Sequence, residues 1–198
     1  MAWGKIYSAT VPSGDVTELT TGVHTPNKFI FSMNHIIGNP AYNANASIRV
    51  GKTTIDTGNN YSWRMTQDDA GDVTAINQDS IASGWDGVTQ INIIYGINPE
   101  SGEKLFISFT NQSATGVNAP HTKRTVGKWA NTSAQFDIYQ VKALPSGRSF
   151  TTDTNMFLLG SELTPAGAVS LTIQDGAVFE ETDTNKHYLL GDGTWTEI

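Results

Sequence analysis

Cysteine is absent from this chain of 198 residues, which excludes disulfide staples, thiolate metal ligation and thiol catalysis. Charge is scarce too. Asp, Glu, Lys and Arg make up 16% of the residues, against about 25% in an ordinary globular domain, so solubility rests mainly on Thr, Ser, Asn and Gln, an unusual surface for a cytosolic enzyme. The basic residues are the rarer sign, 12 against 19 acidic, for a net charge of −7. Such a surface repels a phosphate backbone unless its few cations cluster, and no basic run occurs, so nucleic acid is not expected as a partner. No apolar run approaches the roughly 18 residues of a membrane helix. The opening residues Met1 to Tyr7 lack the basic-then-apolar pattern of a secretory signal, so no membrane partner is expected and the chain is expected to stay in the cytoplasm that makes it until something such as lysis releases it.

What the chain does have is strand patterning. Hydrophobic residues amount to 38% and are joined by 19 glycines, enough for one cored domain with at most a small appendage. From Lys28 to Ile37, the residues Phe29, Phe31, Met33, His35 and Ile37 fall on one side of an extended chain, with Ile30, Ser32, Asn34 and Ile36 on the other. The same period of two returns in Thr89, Ile91, Ile93, Tyr95 and Ile97, in Leu105, Ile107 and Phe109, and around Phe136 and Ile138. Shorter candidates span 3–8, 16–19, 47–50, 61–65, 156–159 and 168–173. Turn-forming clusters separate them, among them Pro12-Ser13-Gly14-Asp15, Thr57-Gly58-Asn59-Asn60 and Asn98-Pro99-Glu100-Ser101-Gly102. No window carries helical spacing.

The pattern predicts an all-β fold, an antiparallel, jelly-roll-like β-sandwich over residues 1–160. A Pro- and Gly-interrupted boundary then leads into a tail over 161–198. Its expected hairpin runs from His187–Leu190 through Gly191-Asp192-Gly193 into Thr194–Glu197. Thr152-Asp153-Thr154-Asn155 and Thr182-Asp183-Thr184-Asn185, each soon followed by Leu-Leu-Gly, form a weak internal echo.

Chemistry-bearing motifs are sparse. Gly51-Lys52-Thr53 copies the end of a phosphate-binding loop, but Ala46 stands where the first glycine belongs and no helix pattern follows. His24, His35, His121 and His187 have no metal-ligand spacing, and His35 reads as an inward residue of its strand. Asp68, Asp69 and Asp72, and the group from Glu180 to Asn185, lack the register of a calcium loop and read as acidic turns. There is no nucleophile elbow. Four Asn-x-Ser/Thr triplets, such as Asn60-Tyr61-Ser62, read as loop chemistry. No cofactor, metal site or catalytic residue is expected.

The five tryptophans, Trp3, Trp63, Trp85, Trp129 and Trp195, carry more information. Each belongs in a core or subunit contact, or else presents a flat face on which a sugar ring can stack. Trp85, set between Gly84 and Asp86-Gly87, is the candidate for an exposed ligand-facing ring, with Trp63 and Asp86 as companions in a glycan site. In the tail, Phe179, Tyr188, Leu189 and Trp195 offer more apolar surface than a lone hairpin can bury, so they are expected at an assembly interface.

Three segments resemble a family of virion structural proteins of tailed bacteriophages and uncultured viruses. They are Trp3-Gly4-Lys5-Ile6 leading through Gly14-Asp15 to Lys28-Phe29-Ile30, Asp56-Thr57-Gly58-Asn59-Asn60-Tyr61-Ser62-Trp63-Arg64, and Val126-Gly127-Lys128-Trp129-Ala130-Asn131-Thr132-Ser133-Ala134-Gln135. The tail from Val178 to Tyr188, closing with Gly193-Thr194-Trp195-Thr196-Glu197-Ile198, resembles a terminal module of phage fibre and capsid-associated proteins. The resemblance implies a sandwich that assembles by protein contacts and has no catalytic residues. The chain lacks the shaft repeats of a full fibre, which favours a capsid decoration, head-fibre or small tail-associated protein located in the virion. Its expected partners are itself, as a homotrimer, and other virion proteins such as a major capsid or tail protein. The alternative function is a carbohydrate-binding module that recognises a host surface glycan.

Overall fold

The structure is a computed structural model that describes residues 3–39, 44–68, 70–84, 89–113, 117–161, 176–181, 186–191 and 194–198. The chain divides into two compact units, residues 1–163 and 164–198. The first holds β1 (Trp3–Thr10), β2 (Glu18–Thr20), β3 (Phe29–Ile37), β4 (Asn45–Lys52), β5 (Thr54–Ile55), β6 (Tyr61–Gln67), β7 (Val73–Gln78), β8 (Ile81–Ala82), β9 (Thr89–Ile97), β10 (Lys104–Gln112), β11 (His121–Trp129), β12 (Ile138–Leu144) and β13 (Asn155–Ser161). The second holds β14 (Val178–Glu181), β15 (Lys186–Gly191) and β16 (Thr194–Glu197). Among the described residues there is no helix, and the fold is all-β with antiparallel sheets. The strand candidate at 168–173 and the echo at 182–185 lie outside the described residues.

In the first unit, a large sheet runs in the order β1-β13-β3-β9-β10-β11-β6-β7, and a small sheet in the order β2-β12-β4-β5 with β8 paired to β4. The core lies between them. Ile30, Ile36, Ile94, Phe106, Trp129, Met156 and Leu158 of the large sheet join Ala46, Ile48, Val50, Tyr139 and Val141 of the small one in a single buried cluster. In the second unit, β15 pairs with both β14 and β16, so the expected hairpin is part of a three-stranded sheet.

The sheets are also pinned by polar bonds. Tyr61 of β6 donates its hydroxyl to the Val50 carbonyl of β4 at 2.7 Å and accepts the Val50 N–H at 3.1 Å. Just before it, Asp56 accepts from the Trp129 indole N–H at 2.7 Å, the Asn60 amide at 2.9 Å and the Gly58 N–H at 2.8 Å. Burial alone would raise the Asp56 carboxyl, but these bonds, led by that of Trp129, outweigh it and hold the group below its ordinary value.

The inward face of the large sheet is unexpectedly polar. Ser32, Asn34, Gln90, Asn92, Ser108, Thr110, Lys123 and Thr125 are all buried there. Ser32 donates to Asn34 Oδ1 at 3.0 Å, and the Ser108 and Thr110 hydroxyls both donate to the Ser83 carbonyl. Lys123 donates to the Gly84 carbonyl at 2.6 Å. The outer side of the small sheet is polar and closed over: Arg49 is buried and bonded to both the carboxylate and the carbonyl of Asp79.

This arrangement corrects one expectation. In β3 the buried residues are Ile30, Ser32, Asn34 and Ile36, so His35 shares the outward face with Phe29, Phe31 and Met33. The alternation correctly marked a strand but not which side met the core. Both sides of β3 carry apolar residues, and the partner sheet covers the more polar one.

Burial lowers the Lys123 ammonium to about 8. Between that value and the ordinary 10.5, the unfolded chain binds more protons than the folded one, so folding stability should rise as pH climbs through this window. Burial also lowers the Lys104 ammonium, so Lys123→Met should remove most of the rise rather than all of it and stabilise the protein at pH 7 by about 2–3 kcal/mol. Urea unfolding at pH 7, 8, 9 and 10 checks both expectations.

Candidate functional site

Opposed residues of an antiparallel pair share a face, and the register of the large sheet therefore builds rows on its open side. One row runs Phe157, Met33, Ile93, Phe109, Arg124, Thr66. The next runs Leu159, Phe31, Tyr95, Ile107, Val126, Arg64, and a third runs Phe29, Ile97, Leu105, Lys128, Ser62. Side chains in the middle of these rows stand open: Tyr95 is 48% exposed, Leu105 47% and Phe109 44%. A contiguous field of aliphatic and aromatic side chains thus lies outside the protein, across several neighbouring strands, while amides and hydroxyls are held inside.

The field has internal order. The Phe31 and Tyr95 rings lie 5.2 Å apart at 57°, a tilted arrangement that aromatic quadrupoles favour. The Arg124 guanidinium sits 5.9 Å from the Phe109 ring centroid, within cation–π range. Two clefts indent the surface and share Leu105 and Ile107. One, of about 300 Å³, is walled by Trp3, Phe29, Tyr95 and Ile97. The other, of about 640 Å³, continues across β11 and β6 to Trp63, Arg64, Thr74 and Lys128. Together they form an apolar trough with cations at one end.

Acidic side chains stand around the rim. Lys128 pairs with Glu103 at 2.6 Å and Arg64 with Asp72 at 3.5 Å. Asp68 accepts the Thr122 N–H at 2.8 Å and meets His121 Nδ1 at 2.7 Å. The Thr122 amide first, and His121 second, hold its carboxyl below the ordinary value. Two of the acids read as turn residues thus fasten margins of the large sheet, Asp68 between β6 and β11 and Asp72 at the turn from β6 into β7.

The residues singled out in the sequence fall in several places. Trp85 and Asp86 lie outside the described residues. Trp63 is half-buried and packs against the core cluster, and it also lines the larger cleft. In the second unit, Phe179 lies in β14 opposite Tyr188 of β15. Tyr188 is half-buried, whereas Leu189 and Trp195 are each 39% exposed. Trp195 opposes Leu190, and Leu189 opposes Thr196, so Leu189 and Trp195 occupy opposite faces of that small sheet. The open field itself was not anticipated as a site. Its residues were read as strand-forming; the signal that could have exposed it is the run of Ser, Asn, Gln and Thr on the alternate positions of β3, β9 and β10.

No protein-family model matches this chain, and no match is found among curated proteins. The chemistry available to the site is that of adhesion: hydrocarbon burial in the middle, cation–π contacts and ion pairs at the margin.

Substituting serine for both Leu105 and Ile107 should cost about 1–3 kcal/mol of folding stability, because each side chain is only partly exposed and stands in a central strand, and should leave the protein folded. The same variant should lose much of the native protein's binding of an apolar fluorescent dye. Unfolding curves measured beside dye titrations check the two effects separately.

Proposed function

We propose that this chain is a non-enzymatic structural subunit of a virus particle, a surface component such as a capsid decoration, head-fibre or small tail-associated protein. It works by self-assembly and by binding other virion proteins. The observation that carries this reading is the open hydrocarbon field of the large sheet. Monomeric soluble proteins seldom leave apolar patches of this extent uncovered, and those that do use them as interaction surfaces. The resemblance of three strand-and-turn segments and of the tail to virion proteins supplies the setting. On a repetitive particle, modest contacts made by many copies add up through avidity. Mass spectrometry of gradient-purified particles from a host carrying the gene tests the reading. Peptides of this chain should co-sediment with the major capsid protein in a fixed ratio. Their absence from particles while the protein is abundant in the cell would overturn it.

A second reading, a module for host surface glycans, draws on the larger cleft, where Ser62, Arg64, Thr74 and Lys128 place polar groups beside Trp63. It expects glycan-array signals from the native protein that Arg64→Ala and Lys128→Ala weaken at least tenfold. An array without signal removes it.

A further inference from the structure

The open field of the large sheet is arranged so that it matches itself. Its strands run β1-β13-β3-β9-β10-β11-β6-β7, which puts the β9–β10 pair at the middle with three strands on either side. Cations and rings are sorted to opposite halves. Arg124 and Lys128 of β11 and Arg64 of β6 stand on the open side of one half, whereas Phe29 and Phe31 of β3 and Trp3 of β1 belong to the other. The strands of this sheet contain neither Asp nor Glu, and two of the cations already have acids of the rim beside them, Lys128 with Glu103 and Arg64 with Asp72. Such a face calls for hydrocarbon and aromatic rings opposite it rather than for an acidic partner.

We infer that the open face is covered by the same face of a second copy of this chain, related to the first by a two-fold axis that runs along the strands between β9 and β10. The inference rests on the assembly reading above and gives it a partner. Rotation about that axis reverses the strand order, so β9 lies on β10 of the other copy, β3 on β11 and β1 on β7. Along the rows of the sheet, Tyr95 of one copy then meets Ile107 of the other, Ile97 meets Leu105 and Ile93 meets Phe109. On the flanks Lys128 meets Phe29, an ammonium against an aromatic ring, and Arg124 meets Met33. The other two-fold packing, with its axis across the strands, lays β11 on β11 and β6 on β6, cation over cation. Like charges brought together as water leaves repel strongly, so charge selects the first arrangement. The exposed apolar side chains of the face leave on the order of 800 Å² open, the share one partner contributes to a standard interface. A contact of one surface with itself closes at two copies, with the two sheets about 10 Å apart and about 30° from alignment.

Exchange of charge across the contact tests this in the full-length protein. By light scattering over a concentration series the parent should form dimers, and sodium sulfate should tighten them because the contact is mainly apolar. Ile107→Lys and Tyr95→Glu change exposed positions that face each other across the axis. Each variant alone should associate at least about tenfold more weakly, and an equimolar mixture should recover a one-to-one dimer in which the two introduced charges attract. Circular dichroism confirms that each variant remains folded, with Leu105→Lys and Ile97→Glu, a second facing pair, as substitutes if either does not. The chain has no cysteine, so Thr74→Cys places a single spin label on the exposed β7 edge of the sheet. The labels of two copies should stand on the order of 35 Å apart, at opposite ends of the paired sheets.

Several results overturn the inference. Labels within about 15 Å of each other mean that the copies stack with their strand order preserved. Dimers that survive both Ile107→Lys and Leu105→Lys are held by another surface, and the open face then belongs to something else. A mixture of Ile107→Lys and Tyr95→Glu that stays monomeric removes the proposed facing pair. A parent that is monomeric at every concentration, or trimeric, also sinks it, yet leaves the virion reading to be decided by the particle measurement.

Discussion

A pleated strand has two sides, and the small sheet covers only one side of the large sheet. That constraint governs most of this molecule. The small sheet lies over the positions that carry Ile30, Ile36, Ile94 and Phe106 but also Ser32, Asn34, Asn92 and Thr110. Hydrocarbon is thereby divided between an interior it shares with amides and an exterior that the small sheet does not cover. Burying polar groups costs free energy unless each finds a hydrogen-bond partner. The sandwich therefore depends on placed bonds, such as those converging on the Ser83 carbonyl, more than a purely aliphatic core would.

The turn from Asp56 to Tyr61 shows how these bonds are built from local sequence. Asp56 and Asn60 shape the turn, Gly58 offers its N–H without obstruction, and Tyr61 follows at the first position of β6, where its hydroxyl reaches the backbone of β4. Trp129 closes the cluster from β11. The segment from Asp56 to Tyr61 is thus, in this fold, a clasp between the two sheets. Its polar residues are occupied in holding the sandwich shut, and the half-buried Trp63 two residues further on leans against the same core.

The distribution of charge follows from what strands and turns tolerate. Asp is depleted in strands and favoured in turns, where its carboxylate can accept neighbouring backbone N–H groups; Asp56 and Asp68 both do so. With neither Asp nor Glu among their residues, the strands of the large sheet are left with cations alone.

The fold class was legible because side-chain period and turn composition are local properties. Alternation at 29–37, 89–97 and 105–109, broken by Gly, Asn and Pro clusters, left little besides antiparallel β-structure. β7 and β11 were harder to read: neither shows a clean apolar alternation, and both take their place from pairing with β6. The sequence by itself determined that strands form, roughly where they end, and that no cysteine or helix-based chemistry is available. Only the tertiary structure decided which side of each strand became the core. When both phases of an alternating strand contain apolar residues, no local rule distinguishes them; the choice is made by which face the second sheet can cover and bond to. That choice placed His35 outward, drew Lys123 inward, and left Tyr95, Leu105, Ile107 and Phe109 together in the open.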